Sequence, residues 1–281
     1  MDDRPDLRRR VRARIDELPV FPAVAVRVLA IVRDPKHSTL DVAKCVEADP
    51  ALATRVLALA NSALFSPRRP IRTLTHATMF IGERALTGAV VAAAIERFYG
   101  RGSPQAAQHE PIWRHSLAVG AIARELARRV GLDAERAMAL GLIHDVGLLH
   151  LRVEADALGD EIRAAREMGL PQRAAEIATF GADHALLGGA ILASLGLPED
   201  LADGVTEHHD PPDDAPASEE DCLHVADAIA SAAEIAPDEE LDPEPPRDAV
   251  LYRLALGSVD LENEVAKVPE MVDALERSLG L

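Results

Sequence analysis

Apolar positions recur at three- and four-residue spacing along nearly the whole chain, the period of a helix that buries one face. On that period, helices are expected over 5–17, 23–33, 39–48, from 49 through ALATRVLALANSALF, 73–81, 83–98 and 111–130. The pattern continues over 133–151, 158–168, 171–180, 183–195, 199–209, 222–235, 249–256 and 260–279. The breaks carry their own chemistry. Ser38 with Asp41 three residues on has the form of a capping box, and Asp49-Pro50 offers an N-cap followed by a proline in the first helical position. Ser66-Pro-Arg-Arg-Pro70, Gly82 and Gly196-Leu-Pro198 end or divide helices. Gly100–Glu110 reads as a connector, and the acidic, Pro-rich stretches 210–221 and 236–248 read as loops. No alternating strand pattern and no internal repeat emerges, so the expected class is all-α, a multi-helix bundle.

Composition narrows this further. Apolar residues make up 48% of the 281 and aromatics only 3%, which suits helices packed through Ala and Leu and provides ample core for one large or two modest domains. No apolar run approaches the roughly 18 residues that span a bilayer, and the first residues are too charged for a signal peptide. A cytoplasmic protein without membrane insertion is the expectation. Cys45 and Cys222 stand alone, outside any CxxC pattern, which argues against both a disulfide framework and a thiolate zinc site.

Charge is uneven. Residues 1–100 carry 16 basic and 11 acidic side chains, residues 101–281 carry 14 and 36, and the net charge is −17. That balance disfavours a nucleic-acid partner for the acidic part. The basic run from Arg8 to Arg14 could touch an acidic partner but fits a solvated helix face better, and Arg68, Arg69 and Arg72 could form an anion patch but fit a solvated loop better.

Within apolar helices lie side chains that a core does not need. His115 sits in WRHSLAVGAIA, His144 and Asp145 in GLIHDVGLLH, and His184 in GADHALLGGAIL. His208 and His209 close a helix, and Asp227 lies in CLHVADAIASAA. A buried carboxylate costs several kcal/mol unless it is paired, hydrogen-bonded or metal-bound. Imidazole and carboxylate together suit iron, manganese, zinc, nickel or cobalt. Five His and two Asp suffice for two metals sharing one bridging carboxylate, an arrangement that serves phosphoester hydrolysis. Each residue has a plainer reading. His184 fits a core or capping histidine, His208-His209 a helix C-terminus, and Asp227 a bond to His224 or a backbone amide. Asn61 and Ser62 fit a helix end better than a ligand site. No role is assigned to His37, His76, His109, His150 or His224.

The order H…HD…H…HH…D resembles the HD superfamily of metal-dependent phosphohydrolases in its di-metal form. The resemblance implies that His115, His144, Asp145 and Asp227 hold one metal, iron or manganese by preference. Asp145 would bridge to a second metal held by His184, His208 and His209. The upstream segments LPVFPAVAVRVLAIVRDP and ADPALATRVLALANSALFSPRRPIRTLTHATMFIG resemble the first half of an HDOD domain, a helical signalling module related to the HD enzymes. The likeness covers about residues 15–235, with halves at 15–100 and 101–235. A basic extension (1–14) precedes it, and an acidic loop with C-terminal helices (236–281) follows. HDOD modules act in bacterial signal transduction by binding proteins, which implies a protein partner.

The chain departs from cyclic-dinucleotide phosphodiesterases of the HD-GYP type. Leu148 stands where those have a substrate-facing Lys, and DPPDDAP follows the His doublet where Gly-Tyr-Pro is expected. The expectation is therefore a regulatory module with a metal centre. A metal-dependent phosphohydrolase acting on a phosphoester or nucleotide, with Asp145 orienting the nucleophile, is the alternative. The last helix is expected to pack on its own core, with a homodimer contact as the alternative.

Overall fold

The computed structural model describes residues 23–32, 34, 36–63, 65–99, 106–153, 158–235 and 244–279. The helix expected over 5–17 lies outside them. Among the described residues the secondary structure is helical throughout, without strands. The helices are α1 (Ala23–Val32), α2 (Thr39–Glu47), α3 (Pro50–Ala60), α4 (Leu74–Tyr99), α5 (Ala106–Val130), α6 (Ala134–Ile143) and α7 (Val146–Val153). They continue with α8 (Leu158–Glu167), α9 (Gln172–Phe180), α10 (His184–Leu195), α11 (Glu199–Thr206), α12 (Glu219–Ala232), α13 (Asp248–Arg253) and α14 (Ser258–Leu279).

Local chemistry sets most of the helix ends. Asp49 accepts from the backbone N–H groups of Ala51 and Leu52 at 3.1 and 3.2 Å, with Pro50 next in line. Ser38 and Asp41 form the expected capping box. Gly82 takes φ 80° inside α4 and kinks it where two helices were expected. A second capping box, Ser218 with Asp221, opens α12 three residues earlier than periodicity suggested.

The helix expected over 133–151 is broken. α6 stops at Ile143, α7 starts at Val146, and His144-Asp145 occupy the gap. His144 Nδ1 donates to the Gly141 carbonyl at 2.9 Å, the acceptor that Asp145 N–H would take in an unbroken helix. The helix expected to reach His209 also ends early, at Thr206. Its last turn is closed by Thr206 Oγ1 bonding back to Ala202 O, and His208 Nδ1 takes Val205 O at 2.6 Å.

Helices α5 and α6 form the central pair. Their backbones touch at Gly120 and Gly141, where a Cβ added to Gly141 would lie 2.5 Å from Gly120 Cα. α4 packs on α6, α12 on both α5 and α6, and α10 on α7 and α11. α14 lies on α5 and α12 and buries Val268, Val272 and Leu275, so it packs on its own core as expected. One hydrophobic core runs from Val28 to Leu275, and α8 with α9 encloses a small satellite around Ile162 and Ala175. Cys45 and Cys222 are buried, free thiols. Among the described residues no single helix is long and apolar enough to cross a membrane.

Asn61 closes α3 and ties down the loop behind it. Its Nδ2 donates to Leu57 O and Ile71 O at 2.8 Å each, and its Oδ1 accepts from Ile71 N at 2.7 Å. Asn61→Ala strands the backbone groups of Ile71, so a loss of about 2 kcal/mol in urea unfolding is expected.

Candidate metal centre

All seven side chains singled out in the sequence converge on one point between α5, the α6–α7 break, α10, the end of α11 and α12. His115 Nε2 lies 3.0 Å from Asp227 Oδ1 and 3.7 Å from Asp145 Oδ2. His144 Nε2 lies 3.3 Å from the same Asp145 oxygen. The other Asp145 oxygen, Oδ1, faces His184 Nε2 at 3.6 Å. His184 Nε2 and His209 Nε2 are 2.8 Å apart, and the rings of His208 and His209 are neighbours at 4.0 Å. Two compact donor groups result, His115/His144/Asp145 and His184/His208/His209. A third, His144/His208/Asp227, joins them.

The orientation of the rings follows from their outer nitrogens. His115 Nδ1 donates to Ile235 O at 2.5 Å, His144 Nδ1 to Gly141 O and His208 Nδ1 to Val205 O. A carbonyl oxygen can only accept, so each of these Nδ1 atoms carries the proton. With Nδ1 committed outward, Nε2 is the atom that each ring turns to the centre. His184 Nδ1 donates instead to Glu176 Oε2 at 2.8 Å. Two of the inward atoms, His144 Nε2 and His208 Nε2, are buried without a hydrogen-bond partner.

Electrostatics point the same way. Burial opposes the charged form of His184, but the Glu176, Asp145 and Asp183 carboxylates outweigh it and push its pKa up to about 10. Burial also opposes charge on His144, and Asp145 overrides it upward. Burial, with the neighbouring His144 and His184, pushes His208 down to about 3, and His209 is lowered for the same kind of reason. Asp145 and Asp227 stay below the usual carboxylate range although burial works against their ionisation, because the imidazoles around them favour the anion. Imidazole nitrogens converging on two buried carboxylates make a pocket that stabilises cations.

Helix packing places these groups. Arg136, buried in α6, reaches Glu219 Oε2 at 2.9 Å, bonds Glu220 and lies 3.3 Å from Asp200 Oδ2. It thereby fixes α12, and so Asp227, against α6 and α11. Asp183 caps α10 by accepting from Leu186 N at 3.0 Å, which sets His184 in the first turn.

The plain reading of Asp227 as a partner of His224 gives way, while the His doublet does stand at a helix end. Asp227 pairs with His115 and not with His224, and His208 bonds a helix-end carbonyl while its other nitrogen faces the centre. Two partners are ones that the sequence reading does not pick out. His224 Nδ1 holds the carbonyl of His208 at 2.9 Å and its Nε2 accepts from Arg247 N at 3.1 Å. Glu176 is fully buried on α9 behind His184. A charged residue on the inner face of an apolar helix, the signal that exposes Asp227, is present in QRAAEIATF as well.

At the rim, Asp227 and His209 keep partial exposure. Arg173 is the cation there, held by Asp183 Oδ2 at 2.9 Å and Asp210 Oδ2 at 2.5 Å, with Glu244 at 3.7 Å. Leu148 is buried in the core.

Such an all-helical domain, with a His/Asp cluster buried between its helices, forms a recognisable class. Within it, the HDOD domain model matches residues 18–211, and the chain belongs to the HDOD family. The crystal structure of an HDOD domain protein of unknown function from Geobacter sulfurreducens is similar, with a TM-score of 0.72 at 26% identity and 97% of each chain covered. A candidate metal-dependent phosphohydrolase from Shewanella amazonensis shares the fold, with a TM-score of 0.65 at 22% identity over 99% of this chain and 100% of that one. Ribonuclease Y from Thermus thermophilus is 28% identical over 155 residues, 55% of this chain and 22% of that protein. The chain spans 22% to 39% of the length of the curated relatives it matches.

Proposed function

We propose that this HDOD protein is a regulatory module that binds a protein partner in signal transduction and contains a dinuclear HD-type metal centre. The observation that carries the metal is the pair of orphaned inward nitrogens, His144 Nε2 and His208 Nε2, in a cluster whose rings are anchored from behind. One position takes His115, His144, Asp145 and Asp227. The other takes His184, His208, His209 and the second oxygen of Asp145. Iron or manganese suits this mix of imidazole and carboxylate.

Support for a regulatory role comes from the rim. Leu148 offers no cation to a phosphate, and the guanidinium of Arg173 is already engaged by carboxylates. Asp210 and Glu244 face the approach and repel a phosphodiester.

Phosphoester hydrolysis is the second reading, favoured by the partial exposure of Asp227 and His209 beside an otherwise buried cluster. A bound metal pair would supply Lewis-acid activation of water and phosphate. Asp145 would orient the nucleophile.

Elemental analysis of untagged protein purified without chelators tests the metal. About two equivalents of iron or manganese are expected, and they should be absent from His144→Ala/Asp145→Ala. Folded wild-type protein that holds no metal and takes none up would refute the centre. The loaded protein should leave nucleotides and generic phosphodiesters intact. Turnover that the double variant abolishes would replace the regulatory reading with the hydrolase.

A further inference from the structure

The two metal positions are unequal in charge. The first has Asp145 and Asp227 among its donors, whereas the second has three imidazoles and only a share of Asp145. What lies behind the rings differs too. His115, His144 and His208 each lean on a neutral backbone carbonyl, but His184 leans on a carboxylate. Glu176 is completely buried. Its Oε2 accepts both the backbone N–H and the Nδ1–H of His184 at 2.8 Å, and its Oε1 accepts from Gln172 Nε2 at 2.7 Å. A carboxylate with no solvent contact is costly to keep unless a cation answers it. That cost is offset if the imidazole carries a cation on its far nitrogen.

Resting on the dinuclear reading above, we infer that Glu176 is the positioning residue of the second metal position. It fixes the His184 ring and supplies, through that ring, the negative charge that the second donor set lacks. Hydrogen-bonded carboxylates behind ligating histidines raise ligand basicity and change metal affinity by about 10- to 100-fold. The second position therefore depends on Glu176, while the first, with its own two carboxylates, does not.

Glu176→Gln separates charge from scaffolding. The Gln Oε1 still accepts both bonds from His184, and the Gln172 amide turns over to accept from the new NH2 group. Metal-free protein is titrated with Mn²⁺ and followed by electron paramagnetic resonance, which distinguishes a lone ion from an exchange-coupled pair. Wild type is expected to take up two ions and to end in a coupled signal. Glu176→Gln is expected to bind the first ion with wild-type affinity and the second about 10- to 100-fold more weakly, so the lone-ion signal persists. A variant that binds both ions as wild type does, or that weakens both equally, overturns the assignment. Wild type that takes up no manganese overturns the metal centre itself, which is a different failure. If Glu176→Gln does not fold, as judged by its thermal transition, the same titration of Glu176→Asp decides. A selective loss at the second ion upholds the role, and equal losses or none overturn it.

Discussion

Asp145→Asn is expected to empty both proposed metal positions, whereas His209→Ala empties only the second. Asp145 faces both groups with separate oxygens. Its Oδ2 faces His115 and His144 at 3.7 and 3.3 Å, and its Oδ1 faces His184 at 3.6 Å. Asparagine keeps the shape but removes the charge and turns one acceptor into a donor, which then points at imidazole nitrogens or at a cation. The loss should exceed about 100-fold at each position, the upper end of what outer ligand partners cost. His209 lies at the partly exposed end of the cluster and pairs with His184 at 2.8 Å, whereas Asp227 pairs with His115. Its removal should leave one ion bound. Metal analysis after dialysis, with circular dichroism to verify the helices, checks both variants. An Asp145→Asn protein that retains two ions would exclude a bridging role.

The seven donors were legible in the sequence because each violates its surroundings. A charge or imidazole inside WRHSLAVGAIA or CLHVADAIASAA has no reason to be buried unless something receives it. Asp49-Pro50 and Gly82 were legible because a cap and a positive φ each demand a particular residue type. The break at His144-Asp145 was not. Apolar periodicity runs straight through it, and the helix is interrupted by a side chain bonding the Gly141 carbonyl, which no period records. His224 and Glu176 act on atoms 16 and 8 residues away, and only the folded arrangement of α9, α11 and α12 connects them. Arg136 is the sharpest case. Nothing in its sequence surroundings singles it out, yet it is buried among the acidic ends of α11 and α12. The charge pattern tells how many carboxylates such a residue can find, but not which.

Gly147→Ala should cause a large loss of stability and should damage the proposed metal site with it. α7 and α10 cross backbone to backbone at this residue. A Cβ at Gly147 would lie 2.0 Å from His184 O, 2.7 Å from Gly188 N and 2.9 Å from His184 C. These are backbone atoms, so no rotamer change relieves the overlap and the helices must separate. Alanine is favoured over glycine in a helix by up to about 1 kcal/mol, which makes the sign of the effect diagnostic. Overpacking of this kind costs about 3 kcal/mol or more, the upper end for inserted methyl groups in close-packed interiors. The residue displaced is His184, whose Nε2 must stay within reach of Asp145 two positions before Gly147, so the second ion should be lost first. Gly188→Ala is the natural comparison. Its nearest neighbours are at 3.2 to 3.3 Å, among them the Val205 and Val146 side chains, so a shift of a few tenths of an ångström accommodates it. Urea unfolding of the metal-free proteins should rank wild type above Gly188→Ala and Gly188→Ala well above Gly147→Ala. A Gly147→Ala protein as stable as wild type would mean that α7 and α10 do not meet as described, and the placement of His184 beside Asp145 would fall with that contact.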